Sequence, residues 1–447
     1  MQIPESAPAL PDLLRSLEAQ PGRLLEKLAE GLRPEVGGRY LHWDELRRRR
    51  PPDGWTVKEW WLALSIARNA VMTTLSLRDK DGRPFRFARS DSVQRLLHQI
   101  DRDCGSRLEV TDPQLANPET RDRYLMRSLI EEAITSSQLE GASTTRRVAK
   151  EMLLTGRKPR TRDERMIANN FGAMELLRGN LKRPLSRELI LEVHQVLTEG
   201  TLEPGEPGRF RRADEAVTVQ DSGDGQVLHL PPPARELRGR IEALCAFAND
   251  ASEDAFLHPV VRAIVLHFAL AYDHPFVDGN GRTARALFYW SVLRQGYWLA
   301  EFLSISRVIK RAPTQYARAF LQSETDAGDL TYFLLHQLEV IRAANQDLHA
   351  YLERKAREVN ETERLMREAE VFNHRQRALL AHALRHPNAR YAIEQHRRAH
   401  SVVYQTARQD LLALASAGYL TKRRIGRAFY FDAKPGLERL LSGKVKD

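Results

Sequence analysis

The sequence predicts a mainly α-helical protein that is divided into several domains. Its 447 residues exceed the usual size of one domain. Apolar residues recur mostly at helical spacing, and the alternation typical of strands is rare. Proline and glycine cluster at a few places between these stretches, where they mark loops and boundaries. The expected fold is a multi-helix core with one small β-hairpin, followed by a smaller C-terminal domain that combines helices and strands.

Composition excludes several classes of protein. The two cysteines, Cys104 and Cys245, lie far apart, which argues against a disulfide framework or a cysteine zinc site. The N-terminal residues lack the basic and apolar pattern of a secretory leader. No stretch approaches the ~18–20 apolar residues of a membrane span. The expected location is therefore the cytoplasm, with no membrane partner.

Breaks in the helical pattern divide the chain into four parts. The N-terminal part carries no recognisable chemistry, and its tryptophans Trp43, Trp55, Trp60 and Trp61 are predicted to be core or interface residues. A turn at residues 79–84 is predicted to close a short hairpin there. The four parts are an N-terminal helical region (1–115), a compact helical core (116–345), a connecting helix (346–370) and a C-terminal domain (371–447).

Positive charge is concentrated in the C-terminal domain. Residues 371–447 carry fifteen lysines and arginines against five acidic residues, whereas the preceding residues are balanced. A basic domain on a neutral body favours a polyanionic partner. The alternative is a merely well-solvated basic domain, and charge alone does not separate the two.

The segment from His274 to Arg285 carries the clearest chemistry. It joins two apolar helices, and its Gly279-Asn280-Gly281 turn allows close approach of the backbone to a ligand. Amide groups at the start of the following helix favour an anion. Arg282 and Arg285 share one helix face, a placement that suits phosphate oxygens. Asp278 is placed to hold a divalent cation, and His274 is a base that titrates near neutral pH.

This segment resembles the Fic motif, His-x-Phe-x-Asp/Glu-Gly-Asn-Gly-Arg-x-x-Arg, at every specified position. The resemblance extends over about residues 116–345. Four further stretches resemble their counterparts in that family: Leu257-His258-Pro259, Pro207-Gly208-Arg209-Phe210-Arg211, Leu230-Pro231-Pro232-Pro233 and Gly328-Asp329-Leu330-Thr331.

The resemblance implies a protein adenylyltransferase, which moves AMP from ATP to a hydroxyl of a protein target, this chain itself included. His274 would be the general base, and Asp278 would bind Mg²⁺. Phe276 would anchor the loop. Arginine at position 282, where the phosphorylating death-on-curing branch has lysine, favours AMP transfer. The ATP phosphates would be bound by Gly279, Asn280, Gly281, Arg282 and Arg285.

A second stretch, Ser136-Ser137-Gln138-Leu139-Glu140-Gly141, resembles the inhibitory motif of the family. Ser136 and Glu140 lie one helical turn apart, and Gly141 suits the end of a helix. The resemblance implies that Glu140 pairs with Arg285 and withholds it from the γ-phosphate. It also leaves open that Glu140 supports the reverse reaction, removal of AMP. A surface glutamate at a helix end is the alternative.

Two β-prone runs around a glycine-rich turn predict a hairpin between Glu215 and Leu230. The resemblance implies a flap that receives the target segment as an added strand. A purely structural hairpin is the alternative. The expected target-binding residues are Val217, Thr218, Val219, Leu228, His229 and Leu230.

The C-terminal domain resembles a winged helix-turn-helix. Its third helix, with Gln405, Thr406 and Arg408, would enter the major groove of DNA, and a wing with Lys422, Arg423 and Arg424 would contact phosphates. Such domains also serve as protein-interaction modules. The main rival to the enzyme hypothesis is a DNA-binding transcriptional regulator that uses the Fic core as a nucleotide sensor. The oligomeric state stays open, a homodimer included.

Overall fold

A computed structural model describes residues 1–16, 33–105, 118–221, 223–249, 256–368, 372–386, 389–425 and 428–441. These residues form two compact units, Met1–Leu348 and His349–Asp447. Helices dominate, and the sheets have two or three strands each, which confirms the predicted mainly α fold. None of the helices in these ranges is long and apolar enough to cross a membrane.

The N-terminal part of the first unit combines short helices with one hairpin. The hairpin predicted around residues 79–84 is present, because β1 and β2 pair antiparallel on either side of that turn. Helix α3 begins with a capping box between Thr56 and Glu59. The elements are α1 (Leu10–Ser16), α2 (Trp43–Leu46), α3 (Val57–Ala70), β1 (Met72–Arg78), β2 (Pro84–Ala88), α4 (Asp91–Ile100) and a π-helical turn (Asp101–Gly105).

Aromatic and aliphatic side chains hold this part together. Trp43 and Trp61 are buried against each other in a cluster with Leu41 and Leu62, as expected for core tryptophans. Backbone bonds then join β2 to the segment before the last helix of the unit: Arg86 N–H donates to Gly328 O (3.1 Å), and Leu330 N–H donates to Arg86 O (2.7 Å). The N-terminal residues and the predicted core therefore form one compact body.

The rest of the first unit is a helical core with one small hairpin. Its elements are α5 (Pro118–Leu139), α6 (Arg146–Thr155), α7 (Arg162–Gly179), α8 (Arg187–Thr198), β3 (Val219–Gln220), β4 (Val227–His229), α9 (Leu237–Asn249), α10 (Pro259–Asp273), α11 (Asn280–Arg294), α12 (Ile305–Arg311), α13 (Pro313–Thr325) and α14 (Thr331–Glu368), with 3₁₀ turns at Ala234–Glu236 and Trp298–Phe302. Helix α14 begins in the first unit and continues beyond Leu348 into the second. It lacks internal glycine or proline and includes the predicted connecting helix up to Glu368. Residues 369–371 lie outside the described part.

Helices α10 and α11 form the centre of this core. Nearly every residue of both is buried, including Phe268 and Leu270 on α10 and Leu287 and Trp290 on α11. Burying large apolar side chains stabilises a fold by about 1.5–3 kcal/mol each. The loop between the two helices, residues 274–279, is therefore held at both ends by well-packed elements.

The described part of the second unit contains short helices and one three-stranded sheet. The three strands pair antiparallel in the order β5-β7-β6 around a core that includes Leu380, Leu411 and Phe431. The predicted turn of the wing, Gly426-Arg427, lies outside the described residues. The elements are α15 (His374–Arg385), β5 (Arg390–Ala392), α16 (Ile393–Ala399), α17 (Tyr404–Ser416), β6 (Leu420–Ile425), β7 (Ala428–Ala433) and α18 (Leu437–Leu441).

Candidate active site

His274 ends helix α10 in a left-handed backbone conformation, with φ of 45°. Its Nδ1 lies 3.2 Å from Ala271 O. Because a carbonyl oxygen only accepts, Nδ1 carries the proton and Nε2 keeps a free lone pair. Burial lowers the pKa of His274 to about 4, so the ring is neutral at physiological pH. A neutral imidazole with a free Nε2 has the form that a general base requires.

The loop after His274 is fixed by its own asparagine. The Asn280 amide accepts from Phe276 N–H (2.9 Å) and donates to Phe276 O (2.8 Å). The Phe276 side chain is fully buried. Gly279 has φ of 84°, and a β-carbon there would lie 2.9 Å from Thr198 Cγ2. The Asn280 side chain therefore shapes the loop, because both of its hydrogen bonds are to the Phe276 backbone.

Asp278 lies beside two arginines. Its Oδ1 accepts from Gly279 N–H at 2.5 Å, and its Oδ2 is 3.4 Å from Arg282 Nη2. Arg162, at the start of α7, approaches the same oxygen to 3.7 Å. No sequence motif points to Arg162. The carboxylate thus lies between the loop amides and two positive charges.

Arg282 is buried, and two of its three side-chain nitrogens lack a hydrogen-bond partner among the described residues. Its Nη1 donates to Leu197 O at 3.2 Å, but neither Nε nor Nη2 makes a hydrogen bond to a described residue. Nη2 is within ion-pair distance of Asp278, yet the geometry is not that of a hydrogen bond. Burial lowers the pKa of this guanidinium. A buried donor without a partner costs about 1–3 kcal/mol, so a site with two of them favours an anionic ligand.

Arg285 is bound by residues at the C-terminal end of helix α5. Its Nη2 donates to Glu140 Oε1 at 2.8 Å and to Ser136 O at 3.0 Å, and its Nε donates to Ser136 Oγ at 2.9 Å. Burial lowers the pKa of Arg285, but the charge and hydrogen bond of Glu140, together with Tyr316 and Glu132, raise that pKa overall. The three predicted residues Ser136, Glu140 and Arg285 therefore meet.

Glu140 also lies against the loop itself. A β-carbon added at Gly281 would collide with a carboxylate oxygen of Glu140 and approach Arg285 Nη1 to 3.0 Å. Helix α5 ends just before, at Leu139, and Gly141 follows with φ of 94°. A left-handed residue directly after a helix suits glycine. The end of α5 thus places Glu140 over the turn that was predicted to bind phosphates.

Arg211 fixes the start of the loop, a role that the sequence did not reveal. Its Nε donates to His274 O at 2.9 Å, and its N–H donates to Pro275 O at 2.8 Å. Next to it, Asp273 Oδ1 accepts from Arg240 Nε at 2.7 Å. Burial raises the pKa of Asp273 to about 6. These contacts order the backbone on both sides of the base.

The predicted flap is shorter than its sequence pattern suggested. Val219 and His229 pair across it, whereas Val217 and Thr218 precede the strand. Leu230 is exposed and Leu228 half-buried. The His229 ring is buried: its Nε2 contacts Tyr272 O (2.7 Å), and its Nδ1 contacts Glu324 (2.8 Å). The His229 side chain thus fastens the flap to the end of α10. Ser222, in the flap turn, lies outside the described residues.

The predicted DNA-contacting residues belong to the second unit. Gln405 and Arg408 are exposed on α17, and Thr406 is half-buried. Lys422, Arg423 and Arg424 are exposed on β6. Arg423 Nε forms an ion pair with Asp432 Oδ2 at 3.1 Å, and the Lys422 ammonium lies 3.9 Å from the Phe429 ring centre.

Comparison with known protein families matches one part of this chain. Residues 184–292 match the model of the Fic/DOC family. This chain contains a Fic/DOC domain. The matched residues of the Fic/DOC domain include the flap and the complete 274–285 loop. The 136–141 motif lies before them.

Curated relatives match part of this chain. A "Protein adenylyltransferase Fic" of Nematostella vectensis is 31% identical over 166 residues, which are 36% of this chain and 33% of that protein. The protein of that name from Drosophila grimshawi is 35% identical over 127 residues, 28% of this chain and 24% of that protein. The chain thus spans a third or less of the length of these relatives.

Among solved structures, a Fic family protein from Desulfovibrio desulfuricans shares the fold. The TM-score is 0.53 at 20% sequence identity, and the alignment covers 78% of this chain and 98% of the other. The similarity therefore extends beyond the Fic/DOC domain itself.

Proposed function

We propose that this protein is an adenylyltransferase that moves AMP from ATP to a serine, threonine or tyrosine hydroxyl of a protein target. One observation carries the proposal: a buried Arg282 with two unpartnered N–H donors lies beside Asp278 at the start of α11, one loop away from a neutral His274. Phosphate oxygens would satisfy Arg282. The names of the curated relatives support the same reaction.

In the proposed reaction, His274 Nε2 accepts the proton of the target hydroxyl as its oxygen attacks the α-phosphorus. The bond to the bridging oxygen breaks, and pyrophosphate leaves with its charge held by Arg282 and Arg285. Amides of the Gly279–Gly281 turn face the α-phosphate. Positioning and charge neutralisation are the main contributions that such a displacement needs.

Asp278 is the residue that would hold Mg²⁺. The described residues contain no group of three or more histidine, cysteine or acidic side chains that could bind a metal by itself. Mg²⁺ commonly uses one carboxylate together with phosphate oxygens and water, and a single Asp278 fits that pattern. The ion would neutralise the charge of the two phosphates next to the breaking bond.

We further propose that Glu140 inhibits this reaction. While Glu140 and Ser136 hold Arg285, that guanidinium is withheld from the γ-phosphate. ATP then binds without the alignment that transfer needs. Removal of AMP from a modified target, with Glu140 orienting water, is the reverse activity that the same residue would support.

Incubation with ATP labelled at the α-phosphate tests the proposal. The Glu140→Gly chain should become labelled itself or label proteins of a lysate, with a mass gain of one AMP. Glu140→Gly with His274→Ala should bind ATP but transfer no label, since His274 acts on the hydroxyl. ATP labelled at the γ-phosphate should leave no label, and label from it would indicate phosphorylation instead. Equal labelling with and without His274 would refute the assignment.

A second candidate function concerns the C-terminal unit, which we propose binds DNA. Gln405 and Arg408 are exposed on α17 and the three basic residues on β6, in a segment with ten more basic than acidic residues. The rival hypothesis, a DNA-binding regulator that senses nucleotide through the Fic/DOC domain, also requires this interface.

DNA binding should depend steeply on salt, because phosphate contacts release counterions. Replacing Lys422, Arg423 and Arg424 by alanine should weaken binding to every duplex, whereas Arg408→Ala should weaken only binding to a selected sequence. Fluorescence anisotropy of the full chain with labelled duplexes measures both. If no duplex binds at low salt, the unit has a protein partner instead. A regulator that lacks transferase activity would bind DNA and ATP but leave every protein unlabelled.

A further inference from the structure

His194 is a buried histidine that the proposed chemistry does not use. It lies on the inner face of α8, and only 1% of it is exposed. Its ring stacks on the Phe276 ring at 3.7 Å between centres, with 3° between the planes. One side chain of α8 therefore contacts the middle of the 274–285 loop.

Both ring nitrogens of His194 are used. Gly208 N–H donates to Nδ1 at 3.1 Å, and Nε2 lies 2.9 Å from Asp278 O. An amide only donates and a carbonyl only accepts, so Nδ1 is the acceptor and Nε2 carries the proton. The two contacts exist together only in this neutral tautomer. Burial lowers the pKa of His194 to about 4, which agrees with a neutral ring.

The contact with Asp278 O determines the direction of the next amide. In a trans peptide the C=O and N–H groups point in opposite directions. When Asp278 O points to His194, Gly279 N–H points the other way, and there it donates to the Asp278 carboxylate. One hydrogen bond from α8 thus orients an amide and a carboxylate of the candidate phosphate site.

His194 also links the loop to the segment that leads into the flap. Gly208 stands three residues before Arg211, which holds His274 O and Pro275 O. Gly208 has φ of 76° and lies against the side chain of Gln195 on α8. The segment that contains Gly208 and Arg211 therefore contacts the loop at two places. Arg211 binds the backbone at His274 directly, and Gly208 is linked to Asp278 through His194.

We propose that His194 is a positioning residue for the transfer reaction: through the Asp278 carbonyl it orients the Asp278–Gly279 peptide, and thereby the Asp278 carboxylate that accepts from Gly279 N–H. This inference rests on the proposed function. His194 touches neither substrate nor metal, and its effect on transfer is exerted through the loop.

Two substitutions in the full-length Glu140→Gly chain distinguish the stacking contact of His194 from its hydrogen bonds. His194→Phe keeps a stacked ring but removes both hydrogen bonds. His194→Gln places an amide N–H near the position of Nε2 and removes the stack. We expect kcat for AMP transfer to fall about 10- to 100-fold in His194→Phe, with a smaller change in KM for ATP, and His194→Gln to recover part of that loss.

His42→Phe is the matched control. His42 is also a 1%-exposed histidine, and its nitrogens contact Asp44 N–H and Thr325 Oγ1, far from the loop in sequence. Both phenylalanine variants should lower the thermal midpoint, but only the change at position 194 should lower kcat at a temperature where all the variants are folded. If His194→Phe keeps the parental kcat, or if His42→Phe loses as much, the positioning role is wrong.

Nitrogen-15 NMR of histidine-labelled protein gives a readout that does not depend on transfer. The His194 ring should show the Nε2–H tautomer from pH 8 to pH 6, and a protonated ring or the Nδ1–H tautomer at pH 7 would overturn the inference. The two proposals can fail separately. If the Glu140→Gly parent transfers no AMP but His194 shows the Nε2–H tautomer, the proposed function is wrong, whereas the hydrogen bond from His194 to Asp278 is supported.

Discussion

Glu140 and Arg285 form an ion pair with 2.8 Å between Oε1 and Nη2, in which the arginine side chain is 2% exposed and the glutamate side chain 25% exposed. Ser136 supplies two further acceptors to the same guanidinium. These bonds occupy the Nε and Nη2 donors of Arg285. Whatever releases Glu140 changes the number of donors that face the loop.

Glu140→Gly should increase AMP transfer on the order of 10- to 1000-fold, because a partly buried charged pair biases a site by a few kcal/mol. The gain should appear in kcat more than in KM for ATP. Arg285→Ala should not reproduce it, since the phosphate contact is lost together with the inhibitory pair. Steady-state transfer rates of the two single variants and the double variant measure this. The double variant should behave as Arg285→Ala alone, and a Glu140→Gly chain no faster than wild type would leave α5 with a purely structural role.

Glu132→Ala should both destabilise the first unit and raise transfer in an otherwise wild-type chain. Glu132 lies on α5, eight residues before Glu140, and accepts from Ser304 Oγ (2.9 Å) and Ser306 N–H (3.1 Å) at the start of α12. Burial raises its pKa. Removing the carboxylate leaves buried donors without an acceptor, at a cost of about 2 kcal/mol or more.

Urea unfolding, followed by tryptophan fluorescence, measures the stability loss of Glu132→Ala, because all six tryptophans lie within Met1–Leu348. The neighbouring Glu131 is the control. Its own side chain is 12% exposed, but that of its ion-pair partner Arg146 is 56% exposed, so water can solvate Arg146 in Glu131→Ala and the loss should be smaller than in Glu132→Ala. If Glu132→Ala loses stability without any gain in transfer, the contact between α5 and α12 does not contribute to inhibition by Glu140.

The first unit should lose stability as pH falls from about 6.5 towards 4. Burial lowers the pKa of His42, His194, His274 and His336 to about 4 each. Below pH 6.5 these histidines bind protons in the unfolded chain but stay neutral in the folded chain. Acid therefore favours unfolding by roughly 2 kcal/mol per histidine at pH 5. Two carboxyls with pKa raised to about 6, Asp273 and Asp326, act in the opposite direction but are fewer.

Urea midpoints at pH 7.5 and pH 5.0 test this pH dependence. His42→Gln should shrink the difference in unfolding free energy between the two pH values by about 2 kcal/mol. His98 is exposed, so His98→Gln should leave that difference unchanged. Equal differences in the wild type and in His42→Gln would show that His42 does not couple stability to pH.

Asp410→Ala should destabilise the second unit alone. Asp410 accepts from Arg375 Nε (2.7 Å), Asn373 Nδ2 (2.8 Å) and His396 Nε2 (3.2 Å), and thereby joins α15, α16 and α17. Its loss should cost about 2–3 kcal/mol and accelerate tryptic cleavage within residues 372–441. The tryptophan-detected midpoint of the first unit should not move.

Asp432→Ala is the control for that experiment, since the side chains of its partners Arg390 and Arg423 are more than half exposed. Exposed pairs contribute at most about 1 kcal/mol. Comparable proteolysis of the two variants would mean that Asp410 has no special role in joining the three helices.

The helical fold and the loop were predictable because their signals are local. Helical spacing marks α10 and α11, and the residues from His274 to Arg285 are contiguous in the sequence. The role of Glu140 was predictable only from its resemblance to a family motif, because no pattern of charge or hydrophobicity marks it. Its pairing with Arg285 depends on the approach of two helices whose contact leaves no periodic pattern.

Residues that act through distant contacts were missed for the same reason. Arg162, Arg211 and Glu132 look like ordinary charged residues, and only the fold shows which carbonyl, hydroxyl or carboxylate each one meets. His194 left a weak signal, since it interrupts the apolar face formed by Leu189, Val193 and Leu197 on α8.

The flap was overestimated because its first run looked extended over five residues. Glu215 accepts from Arg212 N–H at 2.7 Å and pairs with Arg209, which bends the chain before the strand begins. Strand propensity at Val217 and Thr218 is overridden by these polar contacts. Only Val219 and Gln220 then pair with the opposite strand.

Glu140 is tethered to the same molecule as Arg285, and this changes how the site would respond to its surroundings. A tethered group competes at an effective concentration that its linkage sets, whereas a diffusing nucleotide competes at its concentration in solution. A rise in ATP would therefore be a weak activator of the proposed enzyme. Activation would instead require the end of α5 to move away from Gly281, for example when a partner or a second copy of the chain binds there.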